Sequence, residues 1–168
     1  MEIISSISFG RYTPEIYRMC NTAKRSIMQQ KHCAMFLGTD IFGYNRHDNI
    51  GKTKGTIHAE VDAIENFISQ HQKRGYNNEQ IRRKLKKHTM VIMRMNNDTE
   101  GFKMNPCRYS MPCADCIKIL QAYGIKAVAI TTDNGNVEII KSNDLGEGLQ
   151  SSGRRNMFVV QRLPKSQK

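Results

Sequence analysis

Three of the five cysteines of this 168-residue chain lie within ten positions, in the stretch NPCRYSMPCADCIKIL over residues 105–120. Cys113 and Cys116 form a Cys-x-x-Cys pair at the start of a predicted helix. This spacing lets both sulfur atoms approach one ion within the first helical turn. Such a pair occurs in redox sites, in disulfide frameworks and in metal sites, and each requires a different fold around it.

The surrounding sequence argues against a disulfide framework. The first fifteen residues lack the basic segment and apolar core of a secretory signal, and the longest apolar runs are too short to cross a bilayer. We therefore expect a cytoplasmic protein with no membrane association, in which thiols stay reduced or bind metal. The odd number of cysteines agrees with this expectation.

Apolar periodicity predicts three main helices, each with a buried face. The first covers residues 13–30, where Ile16, Cys20, Ala23 and Ile27 recur at helical spacing. The second begins near His58, and the third covers residues 113–123. The intervening stretch 71–88 is rich in Lys and Arg and is interrupted at Gly75, so we expect a short basic helix after the glycine.

Short apolar runs predict strands between the helices. Residues 33–45 are typical of a hairpin, followed by a polar loop over 46–56. Further strands are predicted over 89–95 and 125–132, and the turn signal DNGN then leads into a last antiparallel strand. This order predicts an α/β fold in which helices cover a mixed central sheet.

Two thiolates do not complete a tetrahedral zinc site, so a third ligand is required. His58 is the candidate, because it also lies at a predicted helix start. Three protein ligands leave one position open, as in a catalytic rather than a structural zinc site. Water bound there becomes acidic near neutral pH, and Glu60, two residues beyond His58, could carry its proton. A redox role for the cysteine pair is the rival, but two predicted helices precede the motif.

The pair HAE at 58–60 and PCADC at 112–116 matches the signature H-x-E…P-C-x-x-C of zinc-dependent nucleobase deaminases. With this match the chain resembles the zinc-dependent cytidine and deoxycytidylate deaminase family. The stretches FGYN before the first motif and GIKAVAITTD after the second also resemble the family. The resemblance implies a three-layer cytidine deaminase-like fold and one Zn²⁺ per chain, held by His58, Cys113 and Cys116. It also implies Glu60 as proton shuttle and assembly into a homo-oligomer.

The same resemblance implies how a substrate would bind. The Asn45 side chain would hydrogen-bond the sugar and the Ala59 backbone amide would hold the base carbonyl. The carbonyl of Met111, or of a neighbour, would accept from the exocyclic amine. Two further candidates come from the residues themselves. Tyr109 could stack on a base, and Arg46, with the lysines of the loop that follows it, could hold a phosphate.

The substrate class stays open at this point. An antiparallel final strand pair resembles relatives that act on free nucleosides, whereas the residues around PCADCIKIL resemble the nucleotide branch. A net charge of +11 also allows a polynucleotide substrate, RNA or single-stranded DNA, contacted through basic segments. A non-catalytic zinc module is the third alternative, although the chain keeps Glu60. The spacing from His58 to Cys113 is longer than in compact family members.

We predict a single domain over 1–168, with a core over about 14–140, a basic insertion at 71–88 and a basic tail at 151–168. Cys20 and Cys33 are predicted to be core residues. Cys107 is predicted to be a free loop thiol, with a place beside the metal as the alternative. The remaining histidines are predicted to be mostly exposed.

Overall fold

The computed structural model describes residues 9–50, 53–98 and 105–146. Within these residues four α-helices and eight strands form an α/β fold with a mixed sheet between helices. The helices are α1 (Thr13–Ala23), α2 (Ala59–Lys73), α3 (Asn78–Leu85) and α4 (Ala114–Ala122). The strands are β1 (His32–Phe36), β2 (Phe42–Tyr44), β3 (Arg46–Ile50), β4 (Thr53–Ile57), β5 (Thr89–Met95), β6 (Cys107–Arg108), β7 (Ala127–Thr131) and β8 (Val137–Lys141).

The main sheet has the strand order β2-β1-β5-β7-β8, and β6 pairs with the last residues of β5. Only β5 and β7 run parallel, because α4 forms the crossover between them. The last two strands form an antiparallel hairpin, as the DNGN turn predicts. Gly135 in that turn adopts a φ of 78°, a backbone conformation that favours glycine.

The side chains of the central strands alternate between two apolar layers. Ala34, Phe36 and Ile92 belong to the core under α2, α3 and α4, whereas Cys33 and Met93 belong to the core under α1. Both faces of these strands are therefore buried, which explains why their sequences are almost continuously apolar. The predicted three-layer arrangement is confirmed.

The first helix is shorter than predicted. It ends at Ala23, and Ile27 is 79% exposed rather than part of the buried stripe. The polar segment after Asn45 also differs from the predicted loop, because β3 and β4 form a separate antiparallel hairpin there. In both cases hydrophobic spacing was a poor guide, since Ile27 lies past the end of the packed helix and the hairpin forms through backbone pairing.

The second helix approaches the sheet edge closely at Gly43 in β2. A Cβ atom at this position would lie 2.2 Å from the backbone nitrogen of Ala63 and 2.5 Å from the carbonyl oxygen of Ala59. Only glycine allows this contact without displacing the helix. The first turns of α2 are therefore positioned directly by β2.

No helix among the described residues combines the length and apolar character needed to cross a membrane. The predicted basic tail at 151–168 lies outside the described residues, as does part of the long loop before β6. The predicted short basic helix within 71–88 is confirmed as α3, and a capping box formed by Asn77 and Gln80 begins it.

Candidate metal centre and active site

Two helix N-termini meet on the same face of the sheet. His58 has extended backbone angles and directly precedes α2, and Cys113 has extended angles and directly precedes α4. Cys116 lies in the first turn of α4. The extended residue before each helix turns its side chain toward the neighbouring helix end, so ligands that are 55 residues apart in sequence become neighbours.

The ligand atoms of His58, Cys113 and Cys116 all lie within 4.8 Å of one another. His58 Nδ1 is 3.5 Å from the Sγ atom of Cys113 and 3.3 Å from that of Cys116. In tetrahedral zinc coordination, bonds of about 2.3 Å to sulfur and about 2.05 Å to nitrogen place N and S about 3.6 Å apart. The three residues therefore fit one zinc ion, with Nδ1 as the ligand atom of the imidazole.

Glu60 lies beside this group and is 6% exposed. Its Oε2 accepts a hydrogen bond from Cys116 Sγ at 3.6 Å. Burial raises the pKa of the Glu60 carboxyl, and the nearby His58 opposes this shift. A buried carboxyl with a raised pKa, placed beside a metal site, is a candidate for accepting and returning a proton.

The thiols and the imidazole perturb each other. The neighbouring Cys113 raises the pKa of His58, while burial lowers it. A hydrogen bond with Cys113, followed by burial, raises the pKa of the Cys116 thiol well above its usual range. Protons on these groups must leave when a metal binds, so metal affinity at this site depends on pH.

Asp62 was not predicted from the sequence, yet it anchors the first turn of α2. Its carboxylate is almost completely buried, accepts a hydrogen bond from the Tyr44 amide at 3.1 Å, and pairs with the Arg46 guanidinium at 3.1 Å. The only sequence signal was a carboxylate next to the apolar residues of a helix start. The ion pair gives Arg46 a structural contact beside its predicted role in phosphate binding.

Asn45 follows β2 and ties two segments together. Its Oδ1 accepts from the His32 amide at 2.9 Å, and its Nδ2 donates to the Gln30 carbonyl at 2.6 Å. One amide hydrogen and one lone pair remain for a ligand, because an amide side chain can make four hydrogen bonds.

The other predicted substrate contacts lie close to the metal ligands in the sequence. Ala59 is the first residue of α2, directly after His58, and is buried. Met111 is half-buried and packs against the core that contains Cys116. Tyr109 is 45% exposed, and its amide donates to Asp133 Oδ1 at 3.0 Å. Their predicted roles stay predictions.

Cys107 is a free thiol, as predicted, but it does not lie in a loop. It lies in β6, is fully buried, and belongs to the core under α1 together with Cys20. The alternative place beside the metal is also wrong, because this core lies on the opposite face of the sheet from Cys113. Three histidines also differ from the prediction of exposure. His71 is buried and stacks on Phe67 with ring centroids 4.1 Å apart, and both His32 and His88 are half-buried.

This geometry defines a zinc-binding site of the deaminase type, on a fold with a mixed sheet between helices. The family model for the cytidine and deoxycytidylate deaminase zinc-binding region matches residues 11–132. The chain therefore belongs to the cytidine and deoxycytidylate deaminase family.

A solved structure agrees with the fold. The cytidine deaminase from Burkholderia pseudomallei is similar at a TM-score of 0.50 and 15% sequence identity, covering 77% of this chain and 94% of that chain. At this identity the likeness concerns the fold. No match was found among curated proteins.

Proposed function

We propose that the protein hydrolyses the exocyclic amine of a cytosine nucleoside or nucleotide, giving the uracil compound and ammonia. The observation that carries this proposal is the buried Glu60 carboxyl beside the group of His58, Cys113 and Cys116. A site built only to stabilise the fold has no need of a buried acid at this position, and a fourth protein ligand would be expected.

In this proposal some residues bind the metal and another transfers protons. His58, Cys113 and Cys116 would hold the zinc ion, and the bound ion would supply the acidity that makes a water molecule nucleophilic near neutral pH. Glu60 takes a proton from that water and passes it to the ring nitrogen next to the amine-bearing carbon. A carbon–oxygen bond forms, the second water proton goes to the amine, and the carbon–nitrogen bond breaks to release ammonia.

Three residues would orient the base and the sugar in this proposal. The Ala59 amide would donate to the base carbonyl, and the Met111 carbonyl would accept from the exocyclic amine. Asn45 would donate to a sugar hydroxyl with its remaining amide hydrogen. What supports these roles is position, since Ala59 follows His58 in α2 and Met111 lies two residues before Cys113.

The basic insertion gives no support to a polynucleotide substrate. Its cations lie on and around α3, which follows the far end of α2. A 15-residue helix extends about 22 Å, so α3 begins far from His58, which precedes the opposite end of α2. A small nucleoside or nucleotide is therefore the better proposal.

An ammonia-release screen tests the proposal. Cytidine, deoxycytidine, CMP, dCMP, their triphosphates, guanine, adenosine and a short cytosine-containing RNA would be supplied in turn to the zinc-loaded protein. We expect turnover of a free cytosine compound that competing oligonucleotide does not reduce. Turnover of the RNA alone, or of no cytosine compound, would contradict the proposal.

In the same assay Glu60→Gln should lower kcat about 10²- to 10⁴-fold, since general acid–base catalysis contributes about that much. Its zinc content should equal that of the unchanged protein, because the residue is assigned to proton transfer and not to metal binding. Full activity in this variant would show that Glu60 is not the proton shuttle.

A further inference from the structure

Three basic side chains form one row across adjacent strands at the end of the sheet. In the antiparallel register His32 of β1 lies opposite Arg94 of β5, and Arg94 also lies opposite Arg108 of β6. Residues directly opposite each other in antiparallel strands point to the same face. The strand pairing therefore places two guanidinium groups and one imidazole side by side.

Strand alternation shows which face this is. Met90 and Ile92 point into the core under α2 and α4, so Arg94, two residues further along, points to the same side. Cys107 points into the opposite core, and its neighbour Arg108 therefore points to the side of α2 and α4. The row lies on the face that carries the metal centre.

The row also lies close to the metal ligands. The pKa of His32 is lowered to about 4, first by burial and then by the charges of Arg94 and His58, with Cys113 acting in the opposite direction. His32 is therefore close to its neighbour in the row, Arg94, and to the metal ligands His58 and Cys113. From Arg108 the chain reaches Cys113 in five residues, over a segment fixed by the Ser110 hydroxyl, which donates to the Ile92 carbonyl at 2.7 Å.

Neither arginine forms an ion pair in the part of the chain that the structure describes. Ion pairs there join Arg18 to Asp40, Arg46 to Asp62 and Arg83 to Glu79. Like charges directly opposite each other destabilise a sheet, and both arginine side chains are only half-exposed. A neutral His32 adds no further repulsion to the two arginines. An anionic ligand between the arginines would reduce the repulsion between them.

We propose that Arg94 and Arg108 bind the phosphate of a cytosine mononucleotide whose base lies at the metal centre. This deepens the proposed function and rests on it. In this proposal β6 has a role in the site, since its pairing with β5 places Arg108 opposite Arg94. The guanidinium of Arg46, the phosphate contact predicted from the sequence, is paired with Asp62, and that role stays a prediction beside this proposal.

Binding of UMP and uridine, measured by calorimetry on the zinc-loaded protein, tests this proposal without turnover. We expect UMP to bind more tightly than uridine. Arg94→Gln and Arg108→Gln should each weaken UMP binding about 10- to 100-fold, the range of a hydrogen bond to a charged group, and leave uridine binding unchanged. Arg83→Gln removes an exposed arginine on α3 and serves as the matched control, with both affinities unchanged.

Lysine variants separate charge from folding. Arg94→Lys and Arg108→Lys keep the positive charge and should restore part of the UMP affinity. Equal loss of UMP and uridine binding in the glutamine variants, or unchanged UMP binding, would overturn the phosphate site. So would arginine-dependent binding of a uracil-containing oligonucleotide together with arginine-independent binding of UMP.

The two proposals fail in different ways. Arginine-dependent UMP binding without ammonia release from any cytosine compound would support the phosphate site and refute the deaminase function. Equal turnover of cytidine and CMP, unchanged in the Arg94→Gln and Arg108→Gln variants, would support the deaminase function and refute the phosphate site.

Discussion

The five cysteines differ in role although they share one side chain. Cys113 and Cys116 lie against His58 Nδ1, whereas Cys20, Cys33 and Cys107 are buried in the core under α1. The thiol is a small apolar group in one layer and a metal ligand in the other. The difference comes from the helix ends near Cys113, not from the residue itself.

Cysteine replacement tests this distinction at residue scale. Cys113→Ala should lose bound zinc, because two protein ligands hold the ion far more weakly than three. Cys107→Ala is the matched control, since it removes a buried thiol from the opposite face and should keep one zinc per chain. Elemental analysis of both purified variants decides the matter, and zinc retained by Cys113→Ala would exclude this residue as a ligand.

His32 gives a prediction about pH. Its pKa in the folded protein is about 4, lowered chiefly by burial, against about 6.5 in an unfolded chain. As pH falls below 6.5, His32 becomes protonated in the unfolded state but stays neutral in the folded state. The free energy of unfolding therefore falls between pH 6.5 and pH 4. The loss by pH 5 is about 2 kcal/mol.

Urea unfolding at pH 7 and pH 5 measures this effect. His32→Gln, which cannot titrate, should lose about 2 kcal/mol less than the unchanged protein between the two pH values. His47→Gln removes an exposed histidine and should behave like the unchanged protein. Equal pH dependence in the His32 variant and the unchanged protein would mean that His32 is not held neutral by the fold.

At the scale of elements, the position of α2 decides whether the site exists. This helix carries His58 at its start and Glu60 in its first turn, and two contacts hold that end in place. One is the buried Asp62 carboxylate, which accepts from the Tyr44 amide and pairs with Arg46. The other is the close packing of the helix backbone on Gly43.

Gly43→Ala should therefore damage both stability and metal binding. The added methyl group overlaps the backbone of α2, and we expect a loss of about 3 kcal/mol in the free energy of unfolding. A shifted helix would also carry His58 away from the cysteines and lower zinc affinity. Gly146→Ala is the control, because a Cβ there meets no atom within 4 Å. Unfolding curves and zinc titrations that match the unchanged protein would contradict this packing argument.

At the scale of the whole molecule, the metal joins two halves of the chain. His58 belongs to the first half and the cysteines to the second, and both helix ends rest on the same sheet. An ion that binds only the folded state stabilises it in proportion to the logarithm of its concentration over its Kd. Folding and metal binding are thus linked.

Chelation should expose this linkage. Removing zinc from the full chain should lower Tm by roughly 5–10 °C, if the ion is present at about 100 times its Kd or more. Adding zinc back should restore the value, whereas magnesium should not, because it prefers oxygen ligands. Differential scanning calorimetry with parallel metal analysis makes the measurement. An unchanged Tm in protein shown to be metal-free would contradict the linkage.

The predictions from sequence succeeded where local chemistry is decisive. Helix starts, the DNGN hairpin and the spacing of Cys113 and Cys116 depend on neighbouring residues, so the local sequence predicts them. They failed where the apolar pattern carries no signal or misleads. The β3–β4 hairpin joins adjacent polar segments by backbone pairing, the strand at Cys107 depends on its pairing with β5, and α1 ends before the apolar Ile27.

The sequence by itself determined which residue types can hold zinc and carry a proton, because their acidity and donor atoms belong to the side chains. Tertiary structure alone decided that Nδ1 of His58 faces the cysteines, that Asp62 anchors α2, and that Arg94 and Arg108 share a face. These are facts of register and packing. They follow from the free energy of the whole sheet, which no short segment contains.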